Sequence, residues 1–289
     1  GWTGDPSDVE RLKRMLADFR LGSPTEMHQP LLLIGGGSGT PTVARSLLTC
    51  GRMGFSMLAN TSDRSRDAAT LQPIGAGLLK EQLGAIDWAD VLKQIIEPMP
   101  RRNWSALRTL LDDKVGEMRR GYLTLQAFAE IHGIQGAVDI MTSVLGNTWC
   151  VMPMTLEPTD IMFRLDGQVL GLYEYATRSN GARIADEVFL SPSVHMSPLA
   201  VQAISTAKTV IIGPGDVHFS VLPHWLVGGF AQALASNKEG RLILIANLTA
   251  RDIDIPGFTL ARFLDLWDRF LPAGREVYVL VHKGNVEYS

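Results

Sequence analysis

The sequence is poor in the features that mark several large classes of protein. Two cysteines in 289 residues, Cys50 and Cys150, are too few for a disulfide framework, and they match no metal-binding spacing. No apolar run approaches the roughly 20 residues that cross a bilayer, and no signal peptide is visible. The net charge of −3 gives no reason to expect nonspecific nucleic-acid binding. We therefore expect a soluble, cytoplasmic protein that binds neither membranes nor nucleic acid.

Common catalytic motifs are also missing. The sequence contains no His-Glu-x-x-His, no Gly-x-Ser-x-Gly and no Cys-x-x-Cys, which are the patterns of zinc proteases, α/β-hydrolases and thiol redox sites. His218 and His224 flank Ser220, so a Ser–His pair is conceivable. A Ser220 that caps the following helix fits the pattern better, and nothing indicates a hydrolase with a side-chain nucleophile.

What the sequence does contain is a prominent glycine-rich loop. The aliphatic run Leu31–Ile34 predicts a buried parallel strand, and Pro41 fits the first turn of a helix. Between them lies Gly35-Gly36-Gly37-Ser38-Gly39-Thr40. A turn of this kind offers backbone N–H groups and the positive end of a helix dipole to an anion. We predict a phosphate-binding loop, and the alternative is a purely structural turn.

The loop does not match the standard nucleotide motifs. Gly35 and Gly37 fit the dinucleotide pattern Gly-x-Gly-x-x-Gly, but its third position is Thr40. The lysine of the Walker A pattern is absent. A plain NAD or ATP site is therefore not indicated.

Three further strands end in small polar residues. The run 208–212 leads into Gly213-Pro214-Gly215-Asp216 and a helix. The run 55–60 ends at Asn60 and leads into Thr61-Ser62-Asp63-Arg64, and the run 241–246 leads into Asn247-Leu248-Thr249. Ligands of open α/β sheets bind at the carboxyl ends of the strands. Asp63 also lies about where a dinucleotide fold places its ribose-binding acid. The alternative for Asp63 is a polar helix cap. Arg64 either contacts phosphate or is solvated.

These elements predict a doubly wound, mainly parallel α/β sheet of the Rossmann-like type. Helical periodicity over 86–146 predicts a helical insertion, and apolar runs between Trp149 and Thr177 around an Asp166-Gly167 turn predict a small antiparallel extension. Residues 1–29 form a predicted N-terminal helix and linker, and 30–289 form a single nucleotide-binding domain.

Several of these motifs resemble a known superfamily, that of the 2-phospho-L-lactate transferases (CofD) and gluconeogenesis factors (YvcK), over roughly residues 30–283. Gly35–Thr40 resembles its first loop, and Asn60-Thr61-Ser62-Asp63 is similar to the Asn-Thr-Gly-Asp-Asp of the transferases. Tyr173-Glu174-Tyr175 with Arg178 resembles their Gln-Glu-Tyr/Phe…Arg stretch.

Other motifs are closer to the gluconeogenesis factors. Gly213-Pro214-Gly215-Asp216, followed by Ser220, Leu222 and Pro223, is similar to their Gly-Pro-Gly-Ser…Ser-Ile-Leu-Pro, and Asn247-Leu248-Thr249 to their Asn-Leu-Met-Thr. The resemblance implies a nucleoside diphosphate at the carboxyl edge of the sheet. In the transferases it carries a phospholactyl group destined for a deazaflavin, and in the gluconeogenesis factors it is a UDP-sugar.

The chain departs from both branches. The second acid of the transferase Asp-Asp pair is Arg64, and the Gly-Asn pair of the gluconeogenesis factors reads Gly121-Tyr122. Two acids can hold Mg²⁺ against a diphosphate, whereas one Asp with an Arg has less need of metal.

The leading hypothesis is a protein that binds a nucleoside diphosphate derivative, specifically a UDP-sugar, with a regulatory role in carbon or cell-wall metabolism. The alternative is a phospho-group transferase in which Asp63 holds Mg²⁺ or polarises the acceptor hydroxyl. A third is a degenerate fold that only contacts a partner, and a homo-oligomer stays open. The predicted ligand-binding residues are Gly36, Gly37, Ser38, Gly39, Thr40, Asn60, Thr61, Asp63, Arg64, Gly213, Pro214, Gly215, Asp216, Ser220, Asn247 and Thr249.

Overall fold

The structure is a computed structural model that describes most of the chain. The predicted N-terminal helix and linker (1–29) and the site residues Asp63, Arg64 and Thr249 lie outside the described residues. The described residues are 31–52, 54–62, 66–67, 72–73, 85–99, 109–116, 118–179, 185–247 and 260–281.

A six-stranded, fully parallel sheet forms the centre of the molecule. Its strands in chain order are β1 (Leu31–Gly35), β2 (Ser56–Ala59), β7 (Cys150–Pro153), β11 (Thr209–Ile212), β12 (Arg241–Ile245) and β13 (Val277–Leu280). Their spatial order is β7-β2-β1-β11-β12-β13. Numbered along the chain this is 3-2-1-4-5-6, the order of the doubly wound dinucleotide-binding folds. The predicted fold class is therefore confirmed.

The register of β1 and β11 decides where the glycine loops lie. Leu31 pairs with Thr209 and Ile34 pairs with Ile212, so both strands end level with one another. Between these strands the winding direction reverses, and ligands of such sheets bind in the crevice at that point. The prediction that the strands ending near Ile34, Asn60, Ile212 and Asn247 are parallel neighbours is confirmed.

Apolar side chains on both faces of the sheet create two cores. Leu32, Ile34 and Ile212 face one core, while Leu33 and Ile211 face the other. This alternation follows from the two-residue repeat of a strand, and burial of both faces explains the almost unbroken aliphatic runs. The α-helices with fully described bounds are α1 (Gly39–Thr49), α2 (Trp88–Ile96), α3 (Arg120–Val144), α4 (Leu172–Ser179), α5 (Pro198–Thr206), α6 (Pro223–Leu226), α7 (Phe230–Ser236) and α8 (Leu260–Asp268).

The region 86–146 contains α2 and α3, with a short hairpin of β5 (Lys114–Val115) and β6 (Met118–Arg119) between them. Another short hairpin joins β3 (Arg66–Asp67) to β4 (Gln72–Pro73). None of the helices within the described ranges combines the length and the apolar character needed to cross a bilayer. The predicted cytoplasmic location and homo-oligomer stay predictions.

The predicted antiparallel extension exists, and its predicted strand Asp160–Leu165 is confirmed, but the strands predicted at Trp149–Thr155 and Val169–Thr177 differ from those observed. It consists of β8 (Asp160–Leu165), β9 (Gln168–Gly171) and β10 (Glu187–Ser191), and Asp166 and Gly167 turn the β8–β9 hairpin with φ of 50° and 76°. The first predicted strand of this region instead became β7, an edge of the parallel sheet.

The prediction of a strand as far as Thr177 was wrong, since β9 ends at Gly171 and α4 follows. The helix buries Tyr175 against Phe163, with ring centroids 4.2 Å apart. Glu174 in its first turn and Arg178 in its last turn suit the helix dipole.

The helix predicted after the second glycine loop, from His224 towards Ala235, is divided into two α-helices. A π-helix (Val217–Val221) comes first, α6 and α7 follow, and Gly229 separates them with a φ of 97°. The backbone of Gly228 is drawn out of the helix by hydrogen bonds with Val194 and Met196, both 2.9 Å long. Pairing with a distant segment therefore overrides local helix propensity here.

His224 fastens this segment to the main sheet. Its Nδ1 lies 3.1 Å from the Val221 carbonyl oxygen and its Nε2 lies 3.3 Å from that of Leu58 in β2. With both ring nitrogens against backbone carbonyls, the geometry does not support the conceivable pairing of this histidine with Ser220. Burial lowers the pKa of His224 to about 4 because it disfavours the imidazolium.

We predict that His224 makes the protein acid-sensitive. The pKa in the folded state, about 4, is below the ordinary histidine value of 6.5. Its contribution to the free energy of unfolding is thus complete above pH 6.5 and is lost as the pH falls to about 4, to a total of about 3 kcal/mol. In urea unfolding at several pH values, the free energy of unfolding should depend less on pH in His224→Gln than in the wild type. The exposed His132→Gln should behave as wild type, and an unchanged slope in His224→Gln would contradict the assignment.

Candidate functional site

The two glycine-rich loops meet at the point where the winding of the sheet reverses. The Gly213 N–H donates to the Ile34 carbonyl at 2.9 Å, which extends the β1–β11 pairing into the loops. A Cβ added to Gly39 would lie 2.1 Å from the Pro214 carbonyl oxygen, and one added to Gly215 would lie 3.1 Å from that of Gly36. The first distance is shorter than van der Waals contact allows, so Gly39 permits an approach of the two backbones that no larger residue allows.

The first loop presents an uncapped helix terminus. Helix α1 has 11 residues, its first turn has no acidic residue, and the Ser38 side chain makes no capping hydrogen bond. The first backbone N–H groups of a helix lack partners within the helix and attract anions. Gly37 precedes the helix with a φ of 64°, a left-handed conformation that favours glycine.

Two polar side chains of α2 hold the first loop. The Gly37 N–H donates to Asp90 Oδ1 at 3.0 Å, and Gln94 Nε2 donates to the Gly35 carbonyl at 2.9 Å. Both side chains are buried, at 3% and 0% exposure. Burial raises the pKa of the Asp90 carboxyl, against the opposing effect of Lys93, whose Nζ lies 3.6 Å from Oδ1, and of the Gly37 hydrogen bond.

Sequence reasoning missed Asp90 and Gln94, although a signal was present. They are four residues apart and therefore lie on one face of α2, which is otherwise rich in buried apolar residues. Two polar residues in register on such a helix indicate a polar contact within the core.

The second loop is held by Asn247. Its Nδ2 donates to the Gly215 carbonyl at 2.8 Å and its Oδ1 accepts from the Gly215 N–H at 3.0 Å. One amide side chain thus satisfies both backbone groups of one glycine. The contact that the structure supports for Asn247 is positioning of the loop, and its predicted contact with the ligand stays a prediction.

Asp216, and not Ser220, caps the helix that follows the second loop. Asp216 Oδ1 accepts from the N–H groups of His218 at 3.0 Å and Phe219 at 2.9 Å, so the prediction of a Ser220 cap was wrong. Ser220 lies inside the π-helix, 4% exposed, and its side chain faces the first loop. Its Oγ would lie 3.3 Å from a Cβ placed on Gly37.

Asn60 connects the end of β2 with the same π-helix. Its Nδ2 donates to the Phe219 carbonyl at 2.7 Å, and its Oδ1 accepts from the N–H and the hydroxyl of Ser62 at 3.0 and 2.9 Å. The residue is fully buried. These bonds use one of the two Nδ2 hydrogens, and the direct ligand contact predicted for Asn60 stays a prediction.

Tyr175, from the motif around Glu174, packs on the outer side of the π-helix. Its ring and that of Phe163 both meet the ring of Phe219 edge-on, at centroid distances of 6.3 and 5.5 Å. The antiparallel sheet and α4 therefore support the segment that carries Ser220. Arg178 at the end of α4 hydrogen-bonds to Gln168.

Several buried oxygen atoms near the first loop have no hydrogen-bond partner. They are Thr40 Oγ1, Thr61 Oγ1, Asp90 Oδ2 and Gln94 Oε1. Buried polar atoms without partners are uncommon and cost about 1–3 kcal/mol each. Such a concentration is typical of a functional site, where stability is given up for binding.

The structure thus brings together Gly36–Thr40, Asn60, Gly213–Asp216, Ser220 and Asn247 at one edge of the sheet. Within the described ranges, no group of three or more His, Cys, Asp or Glu side chains is placed to share a metal ion. The Mg²⁺ prediction depends on Asp63, which lies outside those ranges.

Comparison with known proteins gives consistent relatives. A putative gluconeogenesis factor of Yersinia pestis is 28% identical over 224 residues, which is 75% of this chain and 69% of that protein. Those of a Nostoc species and of Clostridium acetobutylicum are 27% and 26% identical and are matched over 88% and 89% of this chain. The chain spans only 55% and 56% of the length of these last two.

A solved structure supports the fold, and a family model covers most of the chain. A UPF0052 protein from Bacillus halodurans superposes with a TM-score of 0.74 over 88% of this chain and 81% of its own, at 20% identity, which supports the fold alone. A family model described as 2-phospho-L-lactate transferase CofD matches residues 31–289. The chain therefore belongs to the CofD family.

Proposed function

We propose that this protein binds a nucleoside diphosphate derivative, specifically a UDP-sugar, across its two glycine-rich loops. The observation that carries the proposal is the meeting of Gly36–Thr40 and Gly213–Asp216 where the winding of the sheet reverses. Two loops in backbone contact offer two neighbouring places for two linked phosphates. The crevice at this point is where doubly wound folds bind their nucleotides.

The first loop supplies most of the proposed phosphate contacts. Helix α1 begins there without a side-chain cap and without an acidic residue in its first turn, so the positive end of its dipole favours an anion. Gly37 has no side chain to fill the space beside the loop, where an added Cβ would lie 3.3 Å from Ser220 Oγ. Asn247 holds Gly215 in place, which fixes the second loop relative to the first before a ligand arrives. Such preorganisation lowers the entropic cost of binding.

The remaining predicted residues complete the proposal. In the sequence, Asn60, Asp63, Asn247 and Thr249 follow the strands that flank the two loop-bearing strands, and their proposed role is to orient the sugar and the base. Arg64 offers a planar fork of donors that suits phosphate oxygens without a metal. The resemblance to the gluconeogenesis factors supports a regulatory role in carbon or cell-wall metabolism, and the curated relatives are named putative gluconeogenesis factors.

A second candidate function is supported by the family itself. The matching family model is named for 2-phospho-L-lactate transferase, so transfer of a phospholactyl-type group to a deazaflavin-like acceptor is the alternative. The same two loops would then stabilise charge on the transferring phosphorus. Asp63 would hold Mg²⁺ or polarise the acceptor hydroxyl.

The phosphate role of the first loop is tested by Gly37→Val. A Cβ at this position would lie 3.3 Å from Ser220 Oγ, and the branched side chain would project into the space proposed for phosphate. We expect the affinity for UDP-glucose, measured by calorimetry, to fall by about tenfold or more, because a charge-assisted contact contributes about 1.5–3 kcal/mol.

Gly51→Val is the matched control. Gly51 also has a positive φ, 77°, but a Cβ there meets nothing within 4 Å, and the residue lies at the other end of α1. This variant should carry the backbone strain and keep wild-type affinity. Equal affinities for the two variants would exclude a phosphate role for the first loop.

The two candidate functions differ in their need for metal. For a UDP-sugar binder we expect Arg64→Ala to weaken binding by about 1.5–3 kcal/mol and EDTA to change little. For a transferase, Asp63→Asn should abolish both turnover and the effect of Mg²⁺, and Arg64→Ala should matter less. Calorimetry in EDTA and in Mg²⁺ with both variants distinguishes them. A strong Mg²⁺ requirement that Asp63→Asn removes and Arg64→Ala spares would reject the binder in favour of the transferase.

A further inference from the structure

A buried carboxylate lies against the loop for which an anionic ligand is proposed. Asp90 is 3% exposed, and its Oδ1 accepts the Gly37 N–H at 3.0 Å. Its Oδ2 has no hydrogen-bond partner and is directed at Gly36, since a Cβ added to Gly36 would lie 2.2 Å from it. One backbone donor of the loop is therefore already paired with an acid of the protein's own.

This arrangement is electrostatically opposed to a bound phosphate as long as Asp90 is ionised. Two negative groups on one glycine loop, away from bulk water, repel strongly because the local dielectric constant is low. A carboxyl that carries a proton removes the repulsion and changes an unpartnered acceptor into a donor. Burial already raises the pKa of Asp90, so the group is prepared for this change.

In the described part of the chain, charged groups lie on α2 and on the elements packed against it. On α1, the guanidinium of Arg45 donates a hydrogen bond to the Glu97 carbonyl just past the end of α2. Lys93 on the same helix lies 3.6 Å from Oδ1 and favours the ionised form. On the elements packed against α2, Tyr122 of α3 and Cys150 of β7 have pKa values raised to about 12 and are neutral. The loop itself contributes Gly36, Gly37 and Ser38, which do not titrate. A phosphate that enters the loop thus adds negative charge next to the Asp90–Lys93 pair.

We propose that Asp90 couples ligand binding to the uptake of one proton: the carboxyl is ionised in the free protein and protonated when a ligand phosphate occupies the first glycine loop. The proton comes from the solvent and resides on Oδ2, where it is donated towards the loop or the phosphate oxygen. Asp90 is thereby a residue that sets both the pH dependence and the charge selectivity of the site. The inference rests on the proposed function, since it requires an anion in this loop.

Proton uptake is measured directly by titrating the full chain with UDP-glucose in buffers of different ionisation enthalpy. The phosphates of this probe are diesters that do not titrate near neutral pH, so any proton bound comes from a group on the protein. We expect up to about one proton taken up per ligand, and an affinity that falls by up to about tenfold per pH unit above the pKa of the free carboxyl.

Two variants at this position identify the group. Asp90→Asn keeps an oxygen for the Gly37 N–H and has a permanent donor in place of Oδ2, so it should bind UDP-glucose without proton uptake and with a flat pH profile. Asp90→Ser also removes the charge and replaces the amide variant if that variant folds poorly. It should likewise bind UDP-glucose without proton uptake. Asp139→Asn is the control, because Asp139 on α3 is also an acid with a raised pKa, bonded to Gln135, and it should behave as wild type.

The outcomes separate this inference from the function on which it rests. Binding of UDP-glucose by the wild type without proton uptake, or uptake that persists in both Asp90 variants, overturns the role of Asp90 alone. Absence of UDP-glucose binding by the wild type and by every variant overturns the proposed UDP-sugar function and this inference with it.

Discussion

The close contact of two backbones at the centre of the sheet is the constraint on which the rest of the structure depends. Gly39 lies so near the Pro214 carbonyl oxygen that a Cβ would be 2.1 Å from it. This approach is possible because β1 and β11 are neighbours in register, with Ile34 opposite Ile212. The loops that follow them therefore form one surface, and the glycines are needed for contact between the loops as much as for a ligand.

Polar side chains hold this surface from three directions. Asp90 and Gln94 reach the first loop from α2, Asn247 holds the second loop from the end of β12, and Asn60 connects the end of β2 to the π-helix. Each of them bonds to backbone groups, which fixes the loops without covering them. The unpartnered oxygens Thr40 Oγ1 and Thr61 Oγ1 show that stability is not maximised at this edge of the sheet, as is usual where a protein binds.

The strands of the sheet could be predicted from the sequence, whereas the side chains and helices that hold the glycine loops could not, for physical reasons. Leu31–Ile34 and its counterparts are aliphatic because both faces of the sheet are buried, and that pattern is local in the sequence. The break at Gly229 and the helix α4 after Gly171 were missed because pairing with Val194 and stacking on Phe163 decide them. The polar pair Asp90 and Gln94 on an apolar helix face indicates a buried polar contact, but Gly37, the partner of Asp90, is 53 residues away in the chain, so the local pattern does not identify it.

The central claim is that a diphosphate lies where the two loops meet. A crystal structure of the full chain with UDP-glucose tests it most directly. The account predicts both phosphates within hydrogen-bond distance of backbone N–H groups of Gly36–Thr40 and Gly213–Asp216, with Asn247 still bonded to Gly215. UDP-glucose ordered elsewhere on the protein, with both loops free of it, would contradict the account.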